Sequence, residues 1–535
     1  MERRYGKKVG KLPFFLTFGI KTAMRFRHLI GLLALALLGT ACQTAQLPRS
    51  GASAAVEFTI LHLNDVYEIS PLEGGKAGGL ARVATVKQEL LTENPNTIAV
   101  IAGDFLSPSL IGTLRQEDGE RIAGLQMGEV LNAMGMDYAT FGNHEFDLTD
   151  PDLLQKRIHQ SAFEYTVCNA FRADGGEVRP FRQVVGGQDR PIPTYLVREF
   201  RNPQGQAVRV GIIGVVLPFN RQPYVHYEDV VQAFRAAYDA VQPQSDLVVA
   251  LTHLAVEDDI ALAREVPGVL LFMGGHDHDN MSRYEEQTII AKADANAKTV
   301  YVHRVAYDPA SGFARVRSSL KAIDDRIADH PPTQAVVERW QGQVNTMMRS
   351  MGYEPGEQVY YAQEPLECKE SEVRRRPTNY GRLTAQAFAA AWPGADVYLL
   401  NSGSMRLDDD IQGVVTQYDV LRTFPFGGPI VRQEIPGNVL EKMLDIGLLT
   451  NRGEGGYFQI IEAEQINGKW HVQGEPIAIG RTYRVVLPQF VASGKEANLA
   501  FLKDFKYEQA ETLTIQGKPV RNDVRDLVIA YLKGL

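Results

Sequence analysis

Five short segments of this chain each end an apolar run with a residue that binds metal or moves protons. They are Ile60-Leu61-His62-Leu63-Asn64-Asp65, Ala99-Val100-Ile101-Ala102-Gly103-Asp104, Phe141-Gly142-Asn143-His144-Glu145, Leu251-Thr252-His253 and Gly274-Gly275-His276-Asp277-His278. Buried strands of a parallel sheet read as short apolar runs, and ligands collect just past their carboxyl ends. Asp, Asp, Asn, His and His-x-His, delivered in that order, make a two-metal site. Divalent cations take carboxylate oxygen and imidazole nitrogen, and one shared Asp can hold two of them side by side. Such a pair activates a water and clamps phosphoryl oxygens during an in-line displacement. Each segment alone is a weak signal; five in order are a strong one.

The 535 residues are 44% hydrophobic and 22% charged, a globular composition with room for two to four domains. The amino terminus differs. Residues 1–41 carry Arg3, Arg4, Lys7, Lys8, Lys11, Lys21, Arg25 and Arg27 against the single acid Glu2, then an apolar stretch from Leu29 to Leu38 and Gly39-Thr40-Ala41-Cys42. A basic segment, a short apolar core and small residues describe a secretory signal, and the core is too short to span a bilayer. Met24 offers an alternative start with a more compact signal. Cys42 behind two small residues resembles a bacterial lipobox, although Leu38 sits one place earlier than usual; the expectation is a lipid anchor to the membrane. Without residues 1–41 the balance is 48 Lys/Arg to 63 Asp/Glu, which disfavours nucleic acid as a partner. Cys168 and Cys368 lie far apart in sequence and are expected as buried thiols.

A small, polar tether covers 42–56. Apolar runs then alternate with amphipathic stretches across 57–323, an α/β pattern. Ala77 to Thr92 and Gly119 to Met134 carry helical spacing, whereas Ile98–Ile101, Val210–Val216 and Leu247–Leu251 read as buried strands. A charged segment, 324–356, contains a helical pattern through Val336, Trp340, Val344 and Met348 and links to a second α/β region, 357–535. His62 and His303 are expected to be structural, because His62 lies an odd number of positions before Asp65 on a strand and points away from it.

Asp65, Gly103-Asp104, Gly142-Asn143-His144-Glu145-Phe146-Asp147, His253 and Gly275-His276-x-His278 together resemble the signature of the bacterial 5′-nucleotidase and UDP-sugar hydrolase family. The resemblance implies a four-layer α/β/β/α metallophosphoesterase sandwich plus a second α/β substrate-binding domain. It implies two divalent ions (Mn, Zn, Mg or Fe), with Asp104 shared, Asn143, His253 and His276 on one, and Asp65 and His278 on the other. His144 would assist the leaving group, with Asp147 orienting its imidazole, and a bridging hydroxide would attack phosphorus.

In the second region Arg374, Thr378-Asn379-Tyr380-Gly381-Arg382, Asn401-Ser402-Gly403-Ser404-Met405-Arg406, Pro425-Phe426-Gly427 and Gln489-Phe490 match the family's substrate motifs. Arg374 and Arg406 would hold phosphate, Phe426 and Phe490 would sandwich a base, and Asn143 and Asn379 would add contacts. The implied reaction is release of phosphate from nucleoside 5′-monophosphates. Cyclic-nucleotide phosphodiesterase, nucleotide-sugar hydrolase and thiosulfohydrolase chemistry are alternatives, as is a non-catalytic nucleotide-binding surface lipoprotein. The chain departs from the family at three places. Tyr67 stands where the first motif usually has His, so either its phenolate coordinates or the first metal is held by Asp65, Asp104, His278 and water. Glu370 replaces an arginine four residues before Arg374, and Lys495 replaces a small residue after Phe490.

Overall fold

Strand Val56–Leu63 shows how the first half is layered. Phe58 and Ile60 face one core, Leu61 and Leu63 the other, as the two-residue period of a strand demands. The strand lies inside a six-stranded sheet in the order 313–322, 299–308, 56–63, 97–102, 138–140 and 164–165. A second six-stranded sheet runs 281–285, 288–292, 271–274, 247–253, 207–216 and 195–201. Phe58, Ile60, Ile98 and Val100 of the first sheet meet Val210, Ile212, Val249, Leu251 and Met273 of the second in a shared core. Outside the first sheet lie helices Leu80–Glu93, Leu125–Met134 and Pro331–Ser350; outside the second lie Val230–Val241 and Val256–Glu265. Helix, sheet, sheet, helix is the expected four-layer sandwich.

The structure is a computed structural model that describes residues 55–219 and 221–535. The expected signal at 1–41, Cys42 with its expected lipid anchor and most of the expected tether lie outside the described residues. Residues 53–535 form one unit, so the second half packs directly on the first. That half is built on a five-stranded sheet in the order 458–461, 397–401, 482–488, 430–436 and 507–508. Among the described residues no helix is long and apolar enough to cross a membrane. Cys168 and Cys368 are buried thiols.

Two helical readings shorten. The helical spacing from Ala77 yields a helix only from Leu80, because Gly78 and Gly79 both adopt left-handed φ. The stretch from Gly119 becomes helical only at Leu125, since Arg115 and Arg121 form a β-bridge and Gly124 is left-handed. The linking helix is present as Pro331–Ser350 and belongs physically to the first half. Trp340 is buried, and its Nε1 donates to Glu129 Oε2 at 2.9 Å.

Candidate metal centre and substrate cleft

All five segments end at one place. Strands 56–63, 97–102 and 138–140 are mutually parallel in one sheet, and 247–253 is parallel to 271–274 in the other. Their carboxyl ends therefore open on the same edge of the sandwich. The chain turns sharply just after each one. Asp65, Asp104, His276 and His278 all have positive φ (52°, 55°, 84° and 62°), a conformation that non-glycine residues adopt only where surrounding contacts impose it. Two glycines make the crowding possible. A Cβ on Gly103 would lie 2.4 Å from Gly142 N, and one on Gly142 would lie 2.1 Å from Asp104 Oδ1.

Asp65, Asp104 and His253 are fully buried and present donor atoms within 4.8 Å of one another. His253 Nδ1 bonds Ala102 O at 2.7 Å, which turns Nε2 toward Asp104 Oδ2 (3.1 Å) and Asp65 Oδ1 (3.8 Å). Asp65 Oδ2 accepts from Asn64 Nδ2 and from the backbone of His276, but Oδ1 is buried with no hydrogen-bond partner. His253 Nε2 is likewise shielded from solvent and faces only these two carboxylates. Buried polar atoms are almost always satisfied, so a buried carboxylate oxygen with no hydrogen-bond donor, turned toward an imidazole nitrogen, marks a place for a cation. Asn143 is buried at the next strand end, and the His276 ring lies 5.4 Å from that of His253. This donor set fits divalent metal.

Electrostatics agree. Burial opposes charge on His253, but Asp104 and Asp65 outweigh it and push the imidazole up to about 9. Burial also opposes charge on His278, yet Asp408 and Asp65 push it up to about 10. Burial and the neighbouring His253 drive His276 down to about 3. The surrounding carboxylates thus favour positive charge at His253 and His278, the electrostatic setting that a cation would meet here.

His144 Nδ1 bonds Asp147 Oδ2 at 2.8 Å, and its backbone N–H donates to Asp104 Oδ1 at 2.7 Å. The imidazole therefore stands beside the cluster with its orientation fixed. His62 and His303 are buried and structural: His62 Nε2 bonds Gly274 O, and His303 Nδ1 bonds Ser318 Oγ.

The Tyr67 hydroxyl lies 3.3 Å from Asp104 Oδ2 and 3.0 Å from His278 Nε2. Tyr67, at the sequence position where the resemblance leads one to expect an imidazole, thus reaches the candidate ligands with its hydroxyl. Burial, then Asp104 and Asp65, raise its pKa well above the ordinary phenol value.

Three supports were invisible in the sequence. Glu145 accepts backbone N–H groups from Phe105 and Leu106 at Oε1 and from Asp104 and Gly142 at Oε2. One carboxylate thus fastens two ligand loops together. Lys292, fully buried, bonds Leu254 O, Gly275 O, Asp277 and Asp259, clamping the loop that carries His276 and His278. Asp408, from the second half, bonds His278 Nδ1 at 2.8 Å. A carboxylate on the far nitrogen of a metal-binding His fixes its tautomer and orientation.

Glu370 also reaches this point, 3.3 Å from His278 Nδ1, and pairs with Arg374; Arg406 Nη1 is 3.9 Å from the same carboxylate. The Arg406 guanidinium lies 5.9 Å from the Phe426 ring centroid. Phe426 and Phe490 are 54% and 49% exposed, and their segments are joined by Gln489 N donating to Pro429 O. Half-exposed aromatic rings and a partly buried arginine pair, with Arg406 beside Phe426, suit a planar, anionic ligand. Asn379 is different. Its Oδ1 accepts from Glu367 N and its Nδ2 donates to Pro365 O, so its amide is spent on the backbone. Lys495 is exposed, and its neighbour Glu496 accepts from Asn401.

Sequence models of two families match this chain: calcineurin-like phosphoesterase over residues 58–280 and the 5′-nucleotidase C-terminal domain over 358–504. The chain is 24% identical over 531 residues to the trifunctional nucleotide phosphoesterase protein YfkN of Bacillus subtilis, matching 89% of this chain but only 35% of that longer protein. It is 23% identical to the 5′-nucleotidase of Bos taurus, covering 84% of this chain and 85% of that one. Among solved structures, a 5′-nucleotidase precursor from Thermus thermophilus superposes with a TM-score of 0.69 at 21% identity, covering 89% of this chain and 96% of that one.

Proposed function

Because the chain belongs to the 5′-nucleotidase family of metal-dependent phosphoester hydrolases, we propose that it releases phosphate from nucleoside 5′-monophosphates. The observation that carries this reading is the junction at His278. There a chain of contacts runs from Asp65 through His278 to Glu370, Arg374 and Arg406, bringing anion-binding side chains of the second half to the metal ligands of the first.

In this reading Asp65, Asp104, Asn143, His253, His276 and His278 hold two divalent ions. When bound, these ions supply an activated water and positive charge against the phosphoryl oxygens. Arg374 and Arg406 orient the phosphate, since a planar guanidinium matches phosphoryl geometry. His144, its Nδ1 held by Asp147, protonates the departing nucleoside oxygen through Nε2. Phe426 and Phe490 stack the base, a contact that tolerates any base because each has a π-face. The Tyr67 hydroxyl, bonded to both Asp104 and His278, supports weaker retention of the first ion than of the second. Residues 1–41 as a secretory signal and Cys42 as a lipid-bearing terminus would place this chemistry outside the cytoplasm. The proposed boundaries are 57–323 for the phosphoesterase domain, 324–356 for the linker and 357–535 for the substrate domain.

The test is turnover of 4-nitrophenyl phosphate with added manganese, followed by a panel of nucleotides at fixed metal. Preferred hydrolysis of nucleoside monophosphates supports the reading. Nucleotide binding without turnover under any divalent metal sinks it in favour of a binding protein.

A further inference from the structure

Glu370 has an unusual set of neighbours. Its side chain is only 17% exposed, one carboxylate oxygen pairs with Arg374 and lies 3.9 Å from Arg406, and the other lies 3.3 Å from His278 Nδ1. Its backbone N–H donates to Asp408 Oδ1, which fixes the start of the short helix Glu370–Val373 against the cleft. The two guanidiniums crowd each other: burial and then Arg406 lower Arg374 to about 10. Arg406 Nε is shielded from solvent and has no hydrogen-bond acceptor. Asp408 and Glu454 also favour charge on Arg374, but the carboxylate in direct contact with the pair is Glu370 of its own chain, and Arg406 Nε is left open to a further acceptor.

We propose that Glu370 is an internal anion that occupies the Arg374–Arg406 slot and must be displaced by an incoming phosphoryl group, so that it determines how tightly the cleft takes phosphate. The inference rests on the phosphohydrolase reading for its substrate class, but the occupancy of the slot stands on geometry alone. Glu370 offers the two guanidiniums a single oxygen, whereas a phosphoryl group offers three and a larger charge, and so can also reach Arg406 Nε. Displacement leaves Glu370 within reach of His278 Nδ1, where it joins Asp408. Phosphate entry would thus move negative charge from the arginine pair toward a metal ligand. The carboxylate contributes no bond to the reaction, and its effect is on specificity.

The test is calorimetric titration of inorganic phosphate into the full-length protein with its metals, comparing wild type with Glu370→Gln and with Glu372→Gln as control. Glu372 pairs with exposed Arg376 and lies outside the cleft. Removing an internal competitor of this kind is expected to tighten phosphate binding by about tenfold, the effect of one net charge-assisted contact. The control should match wild type. Glu370→Ala serves as a second variant, and an unchanged thermal midpoint shows that the fold is kept. Phosphate binding that is unchanged or weaker in both folded Glu370 variants overturns the proposal. Because binding is read directly, a wild type that binds phosphate yet hydrolyses no ester defeats the catalytic reading while leaving this comparison interpretable.

Discussion

The two walls of the cleft are built differently. On the first-half wall Asp65, Asp104, Asn143 and His253 are buried, positioned by strand ends and by backbone bonds to Glu145 and Ala102. On the second-half wall Phe426 and Phe490 are about half exposed, and the arginines are held by a single carboxylate on a flexible stem, Glu370. The first wall is preorganised, as charge stabilisation requires, because donors that reorganise during reaction lose most of their value. The second has exposed surface left to bury and an ion pair left to exchange, as recognition requires. Chemistry and recognition are thus divided between rigid and adaptable surfaces.

Substitutions can break that division, and the largest effect belongs to the rigid wall. His144→Gln should lower kcat by a factor on the order of 10² to 10⁴, the usual contribution of a general acid, with little change in KM. Steady-state kinetics on a nucleoside 5′-monophosphate, whose alkoxide leaving group needs the proton, would show it, and an effect confined to KM would contradict the assignment. Next comes the bridge between walls. Asp408→Asn should weaken metal retention or activity by about 10- to 100-fold, as losses behind a metal-binding histidine do. Metal content after dialysis reads this without reference to turnover. On the adaptable wall, Phe490→Ala should cost about 1–3 kcal/mol of nucleotide binding, visible in KM, while 4-nitrophenyl phosphate is affected less. A drop in kcat instead would mean that the aromatic wall helps to place the phosphate.

The effect furthest from turnover lies behind the rigid wall. Burial lowers His62 to about 3 and holds His303 well below its ordinary value. Both stay neutral in the fold but bind protons when unfolded. Their stabilising contribution is therefore complete above about pH 6.5 and is lost as pH falls from there toward 3. Each histidine adds at most about 1.4 kcal/mol per pH unit to that slope. Replacing His303 with Asn should flatten the acid limb of a denaturation profile, and an unaltered limb would remove the pair as its source.

The convergence of the candidate ligands was legible because each ends its own apolar run, so local pattern and global position coincide. The bends at Gly124 and at Gly78–Gly79 were harder to see, since helical spacing persisted through residues that tertiary contacts hold in other conformations. The reach of Glu370 and Asp408 to His278 could not be inferred at all. These residues lie 92 and 130 positions away in the chain, and no period relates them. Lys292 was hidden for a different reason: it ends a strand, Thr288–Lys292, whose burial disguises a charged clamp as a core position. Tyr67 was visible as a departure, but only the fold showed its hydroxyl against both Asp104 and His278.

Glu145 has a practical consequence for anyone mapping this protein by mutation. A survey of inactive variants would rank it beside the metal ligands, although all four of its bonds go to backbone and none of them to another side chain. The two kinds of inactivity respond differently to supply. A weakened ligand can be compensated by raising the metal concentration, because mass action refills the site. A loop that has lost its four-point anchor has no site to refill. Titrating metal against each dead variant therefore separates the candidate ion ligands from the residue that holds the loops.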